Sequence, residues 1–431
     1  MDSKISAIGS GRTEMDSKAS VTDSQTVVIK NVDIVLPDRV CDRAALVIRD
    51  GKIEQIYQEG YAVGENEQHR PGLCSEGQII DAKGNYLLAG FVDLHVHGGG
   101  GADFMDGTLE AFETAAKAHL KHGTTTFLPT AMTAGEAELT EFIRIFHRFR
   151  RESAYSFMTP GVHLEGPYLS GANAKSSGAQ PANHLRLPNE EEIDRLLAVG
   201  DGWIRRWDAA PELPGSDMFA HKMKEQGVIC SIAHSNANGE EAQKGIDHGF
   251  GHVTHFYNAV TTYHKEGQYV HSGVVEAAYL NEHVSVELIC DGKHIPKDVL
   301  RLALKIKGPE RVMGITDAMR LAGTDLKSGK LGSLKSGTEV IVDDTVAKLP
   351  DMSSYAGSIA TMDRCLYVLC KDYGITLPQA SLMLSETPAA LLGLSDSIGS
   401  IAVGKDANLV LVDSQFKVVN VWAKGREVCT A

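Results

Sequence analysis

Nowhere in its 431 residues does the chain carry an apolar run approaching the eighteen or so residues of a membrane span. That absence excludes a membrane-crossing helix and predicts a soluble protein. Positive charge is also in deficit: 42 Lys and Arg against 56 Asp and Glu leave a formal charge of -14 and a pI near 5.6. Nucleic acid needs a broad basic face, so it is excluded as a partner, although a local patch suffices for one phosphate. Cysteine is sparse. The seven cysteines, Cys41, Cys74, Cys230, Cys290, Cys365, Cys370 and Cys429, show neither the Cys-x-x-Cys spacing of a metal knuckle nor the density of a secreted scaffold. They predict reduced thiols and a cytoplasmic location. Met-Asp-Ser-Lys occurs at Met1 and again at Met15 with no apolar h-region after either, which excludes a secretory signal. Residues 1–25, rich in Ser, Thr, Asp and Lys, read as a disordered extension, with Met15 an alternative start.

What is present is an ordinary globular balance, 43% hydrophobic and 23% charged, over a length that suits a large barrel with a minor domain attached. From Thr26 onward, β-branched runs separated by Asp-Gly read as strands joined by tight turns. They continue to Leu88-Ala-Gly-Phe-Val-Asp-Leu-His-Val-His, which four glycines follow. Thereafter short apolar runs alternate with amphipathic stretches. Eight strand candidates, at 91–97, 124–129, 157–165, 203–210, 228–234, 252–256, 284–291 and 312–317, predict an α/β fold with a (β/α)8 barrel of the TIM type at 89–396. A Gly-, Ser- and Lys-rich segment at 320–356 holds one hairpin, 340–349, and is long enough to cover the barrel mouth. Two helical stretches, 358–372 and 378–392, precede final strands. Residues 26–88 and 397–431 are expected to pair as a small β-sandwich domain formed by both ends of the chain.

Chemically capable residues recur at the C-terminal ends of the barrel runs, where enzymes of this architecture place their sites. His95 and His97 share one face of a strand, and neutral imidazole is a common ligand for zinc and its neighbours. Alone the pair is weak, since 17 histidines give roughly one His-x-His by chance. Glu165, followed by Gly-Pro, stands at a strand tip, and His234, His255 and Asp317 each end a strand. Every one has a plain structural alternative: buried histidines commonly satisfy backbone groups, and a carboxylate at such a place commonly caps a helix. Five such coincidences on five strands are needed for that alternative to hold throughout. His252 and His163 are assigned structural roles.

The blocks His163-Leu-Glu-Gly-Pro-Tyr, Ala210-Pro-Glu, Ala233-His-Ser, Thr254-His-Phe-Tyr-Asn-Ala, Asp291-Gly-Lys-His, Thr316-Asp-Ala and Gly399-Ser-Ile-Ala-Val-Gly-Lys-Asp-Ala-Asn resemble the amidohydrolase superfamily, and within it the branch that deacetylates amino-sugar phosphates. The resemblance runs from about residue 27 to the C-terminus. It implies that Glu165, in place of the carboxylated lysine of many members, joins His234 and His255 around one metal, and that His95 and His97 serve a second. One or two divalent ions are therefore expected, zinc first, iron or manganese as alternatives. Asp317 is implied as general base and His294 as the contact to the acetyl carbonyl. Asn258 and Ala259 are implied near the substrate phosphate, and Gln180 lies on a substrate loop. Where the branch often has an arginine that reaches a neighbouring subunit's phosphate, this chain has His264 and Lys265, the expected replacements in a homodimer.

These roles fit elementary chemistry. A divalent ion lowers the pKa of bound water towards about 7, Asp317 takes the water proton and returns it to the leaving nitrogen, and His294 stabilises the oxyanion. The expected reaction is hydrolysis of N-acetylglucosamine 6-phosphate to glucosamine 6-phosphate and acetate in amino-sugar catabolism. The rival readings are deacetylation of another N-acetylated sugar or an N-acyl amino acid, and a catalytically silent scaffold.

Overall fold

Eight apolar runs become eight parallel strands: β1 (Phe91–Val96), β2 (Thr124–Ala131), β3 (Val162–Glu165), β4 (Ile204–Ala209), β5 (Ile229–Ile232), β6 (His252–Val253), β7 (Ser285–Ile289) and β8 (Val312–Ile315). The computed structural model describes residues 26–58, 61–63 and 77–430; the expected extension at 1–25 lies outside the described residues. Each barrel strand pairs with the next. The ring closes where Val96 bridges Ala318, Asp317 N donating to His95 O at 3.0 Å and His97 N to Ala318 O at 2.8 Å. The result is the (β/α)8 barrel. β1 and β2 are buried at every residue, as a strand covered on both faces must be.

The surrounding helices form for local reasons and pack for the usual one. Leu109–Lys121 begins where Thr108 Oγ1 accepts from Ala111 N at 3.1 Å, satisfying a donor the helix cannot. Gly123, at φ 84, releases the chain into β2. On Glu136–Glu152 the buried Leu139, Phe142, Ile143, Phe146 and Phe149 recur at three- and four-residue intervals, each worth roughly 1.5–3 kcal/mol when buried.

Two strand expectations shorten. The run at 157–165 begins as a short turn of helix, Ser156–Met158, and only Val162–Glu165 is strand. The run at 252–256 keeps two residues of strand, because His255 (φ 28) and Tyr257 (φ 74) turn the backbone into the left-handed region and end the pairing.

Both ends of the described chain enter one nine-stranded sheet, with strands from 26–89 and 409–430. Thr26–Val35 is its spine, pairing with Val40–Arg49 along its length, with Gln78–Asp81 at one end and with Tyr86–Ala89 at the other. Alternation sorts its side chains. Leu87, Leu409 and Leu411 join Ile29, Ile34, Leu46 and Ile48 in a core of its own, so the sheet folds over as a sandwich. Leu88 and Val410 point into the barrel core and fix the sandwich to it.

The segment after β8 carries three strands where the sequence predicts one hairpin: Ser328–Leu331, Thr338–Asp343 and Val346–Lys348. Asp344 and Thr345, both at positive φ, form the tight turn of the hairpin. Arg320 ties this flap down, its guanidinium meeting Asp106 Oδ1 and Gly332 O, each at 2.8 Å.

Candidate active site

The histidines and carboxylates singled out in the sequence leave the C-terminal ends of five different barrel strands. At three of them, His234 (φ 44), His255 (φ 28) and Asp317 (φ 48), the backbone is left-handed, a conformation that costs a non-glycine residue on the order of 1–3 kcal/mol. A packing role gives no reason to hold three such turns.

They bring two groups of donors together. Glu165 Oε1 lies 3.0 Å from His234 Nε2 and 3.1 Å from His255 Nε2, and the two nitrogens are 3.2 Å apart. In the second group Asp317 Oδ1 lies 3.5 Å from His95 Nε2 and 3.4 Å from His97 Nε2, these nitrogens again 3.2 Å apart. Glu165 Oε2, 3.2 Å from His97 Nε2, joins the groups. All are buried. Four ligands tetrahedrally placed about 2.0–2.1 Å from a zinc-sized ion stand roughly 3.3 Å from one another, so the spacing fits a divalent ion.

The electrostatics fit as well. Burial pushes the Glu165 carboxyl up, but His95, His234 and His255 around it bring it well below the usual carboxylate range. Asp317 is likewise raised by burial and brought below its ordinary value by His95 and His97. Burial opposes a charge on His97, yet Asp317 and Glu165 lift its pKa to about 9. Two buried carboxylates that keep their charge demand compensating positive charge, which protonated imidazoles or, once these lose their protons, a divalent ion on this N/O donor set can supply.

The imidazoles are held from behind. His234 Nδ1 donates to Ser176 O at 2.8 Å and His255 Nδ1 to Asn258 O at 3.0 Å, which leaves each Nε2 free for the site. His95 Nδ1 instead meets Glu287 Oε1 at 2.9 Å. Glu287 is clamped by Arg206, whose Nη1 lies 2.6 Å from its Oε2, while Arg206 Nε reaches Asp208 Oδ1 at 3.1 Å. His163 Nε2 lies 2.9 Å from Asp208 Oδ2, and His252 Nε2 lies 3.3 Å from Glu287 Oε2. Sequence reasoning missed Arg206, Asp208 and Glu287. A charge in the middle of an apolar strand, as in Ile204-Arg-Arg-Trp-Asp or Ser285-Val-Glu-Leu-Ile, was the available signal.

His294 stands in the loop after β7, where Asp291 Oδ2 accepts from its Nδ1 at 2.7 Å. The Asp291 carboxyl is raised by burial but drawn below its ordinary value by His294. His97, Glu165, His234, His255, Asp317 and His294 line one pocket, together with Asn258, Ala259 and Gln180 and with Leu331 and Tyr355 of the flap. Gln180 is oriented by Thr133 N, which donates to its Oε1 at 3.1 Å. Asn258 Nδ2 is buried with no partner among the described residues. His264 and Lys265 are not brought to this pocket. They stand on a hairpin, His264–Glu266 with Tyr269–His271, outside its lining.

The described residues hold no helix long and apolar enough to cross a membrane. The model of the amidohydrolase family matches residues 86–428. An N-acetylglucosamine-6-phosphate deacetylase of Lysinibacillus sphaericus is 31% identical over 408 residues, covering 93% of this chain and 97% of its own. An N-acetylgalactosamine-6-phosphate deacetylase of Escherichia coli O157:H7 is 29% identical over 349 residues, 81% of this chain and 89% of its own. Among solved structures, N-acetylglucosamine-6-phosphate deacetylase from Pasteurella multocida superposes with a TM-score of 0.83 at 28% identity, over 94% of this chain and 100% of that one. The barrel, the ligand-spaced donors at its mouth and these matches lead to one conclusion: the chain belongs to the amidohydrolase family.

Proposed function

We propose that this protein hydrolyses the acetamide of N-acetylglucosamine 6-phosphate, giving glucosamine 6-phosphate and acetate. One observation carries the reading: a buried metal-ligand set, an ionised carboxylate and a histidine held by an aspartate share one pocket wall. Similarity over nearly the whole chain to a deacetylase of this substrate supports it.

Glu165, His234 and His255 would hold one divalent ion and His95, His97 and Asp317 a second, zinc being the first choice for such ligands. When bound, such an ion acidifies water and polarises a carbonyl. The protein's own groups do the rest. Asp317, ionised at neutral pH, accepts the proton of the attacking water and delivers it to the sugar nitrogen, without which an amine leaves an amide poorly. His294, its Nδ1 paired with the Asp291 carboxylate, would donate from Nε2 to the acetyl oxygen as an imidazolium, where a positioned donor is worth roughly 3 kcal/mol. The orphaned Asn258 Nδ2, with Ala259 and Gln180, faces the sugar phosphate. His264 and Lys265 are assigned to the phosphate of a partner subunit in a homodimer, a reading supported by the exposure of Tyr263, Tyr269 and Val270 on the same hairpin. The setting is cytoplasmic amino-sugar catabolism, and Cys41, Cys230, Cys290, Cys365 and Cys370, all free thiols, suit a reducing compartment.

Acetate release from the metal-loaded protein tests the reading, with N-acetylglucosamine 6-phosphate, its galactosamine epimer and the unphosphorylated sugar side by side. The first should be turned over with the highest kcat/KM. Preference for the epimer moves the assignment to that sugar, as the relative from E. coli O157:H7 would favour. No turnover of any of the three rejects it.

A further inference from the structure

Within its own chain the pocket takes no cation from His264 and Lys265, which lie outside its lining. It has another. Among the lining residues Lys175 is the sole lysine or arginine, in a chain of formal charge -14. Its Nζ makes no hydrogen bond or ion pair among the described residues, while its backbone N donates to Asn173 Oδ1 at 3.0 Å.

Its backbone is tied into the site. Asn173 Oδ1 also accepts from Ser176 N at 3.0 Å, and Ser176 O accepts from His234 Nδ1 at 2.8 Å, so the turn bearing Lys175 is fastened to the imidazole of a ligand. Gly178, at φ 56, closes the turn over His234, where a Cβ would stand 3.1 Å from its Cε1. The same pocket offers Asn258 Nδ2, buried and unpartnered, and Gln180, whose Oε1 is occupied by Thr133 N and whose amide nitrogen is left to donate. Lys175, Asn258 and Gln180 thus give the pocket that holds Glu165 and Asp317 one cation and two amide donors, the groups a phosphate ester calls for.

We infer that Lys175 binds the substrate phosphate from within the same chain and sets the preference for phosphorylated over unphosphorylated sugar. The inference rests on the deacetylase reading but is separable from it. Lys175 meets a dianion as a point charge, and a hydrogen bond to a charged group carries roughly 10- to 100-fold in affinity.

The test is steady-state acetate release by the metal-loaded full chain on N-acetylglucosamine 6-phosphate and on N-acetylglucosamine, for wild type, Lys175→Met, Lys175→Arg and Lys265→Met, with metal content measured to establish the fold of each. Lys175→Met should raise KM for the phosphorylated sugar roughly 10- to 100-fold at unchanged kcat and leave kcat/KM for the unphosphorylated sugar where it was. Lys175→Arg should recover most of the loss. An unchanged KM in Lys175→Met, equal losses on both sugars, or a phosphate-specific loss in Lys265→Met alone overturns the inference while the deacetylase stands. Wild type inactive on both sugars overturns the deacetylase reading, and this inference with it.

Discussion

The two donor groups at the barrel mouth look alike in composition and differ in how they are held. In Glu165, His234 and His255 the carboxylate is 3.0 and 3.1 Å from its imidazoles, and both rings are steadied by backbone carbonyls of loops packed on the barrel. In His95, His97 and Asp317 the corresponding distances are 3.5 and 3.4 Å. There one ring leans on the Glu287 carboxylate, and the other, His97, has an Nδ1 buried without a partner. A fixed tautomer and ring orientation raise a histidine's worth as a ligand. On the proposed reading the first group would hold its ion more firmly than the second, where His97 lacks such a support. The histidine pair that draws the eye in the sequence belongs to the looser half.

The largest expected effect falls on the tighter group. Glu165→Gln removes the carboxylate shared by both groups, so bound metal and acetate release should both fall to background, measured by elemental analysis and assay. Retention of a full complement of metal would break the comparison. Asp317→Asn should lower kcat by about 10²–10⁴, the usual worth of a general base, while the ion at Glu165, His234 and His255 stays; a kcat near wild type would show that another group takes the proton. Glu287→Gln sharpens the contrast. Loss of the carboxylate behind His95 should weaken one class of metal site by roughly 10- to 100-fold and leave the other unchanged in a chelator titration. Equal weakening of both would mean that Glu287 serves the barrel rather than the looser group.

The smallest effect concerns histidines outside both groups. Burial draws His119 down to about 4, its Nε2 donating to Gly98 O at 2.9 Å, and His163 likewise to about 4. A folded-state pKa below the unfolded value of about 6.5 means that the unfolded chain binds the extra proton first. The stability these rings contribute is then complete above pH ~6.5 and lost as the pH falls towards ~4. Urea midpoints should decline through that window, and His119→Gln should flatten the decline. A midpoint that is level across it would contradict the neutral, buried imidazole.

The barrel and its polar strand ends were legible because parallel strands buried on both faces leave short runs rich in apolar residues, and a polar residue closing such a run stands out. Glu165, His234, His255 and Asp317 were found that way. Arg206, Asp208 and Glu287 were not, because their meaning lies in pairing across strands β4 and β7, which sequence order does not display. The short β6 and the extra flap strand escaped for a related reason. Positive φ at His255 and Tyr257 and the pairing of Ser328–Leu331 with Thr338–Asp343 are set by tertiary contacts, not by the local run of residue types. Lys175 was passed over because one lysine in a polar loop carries no signal until the loop is seen fastened to His234.

The left-handed turns at His234, His255 and Asp317 bear on how this protein would drift under laboratory selection. Glycine occupies that conformation freely, so His234→Gly or Asp317→Gly relieves strain while deleting a ligand or a base. A mutant library screened for heat tolerance alone should accumulate small or flexible residues at these positions and drift towards robust, inert barrels. Only a screen that also demands turnover keeps the three strained residues in place.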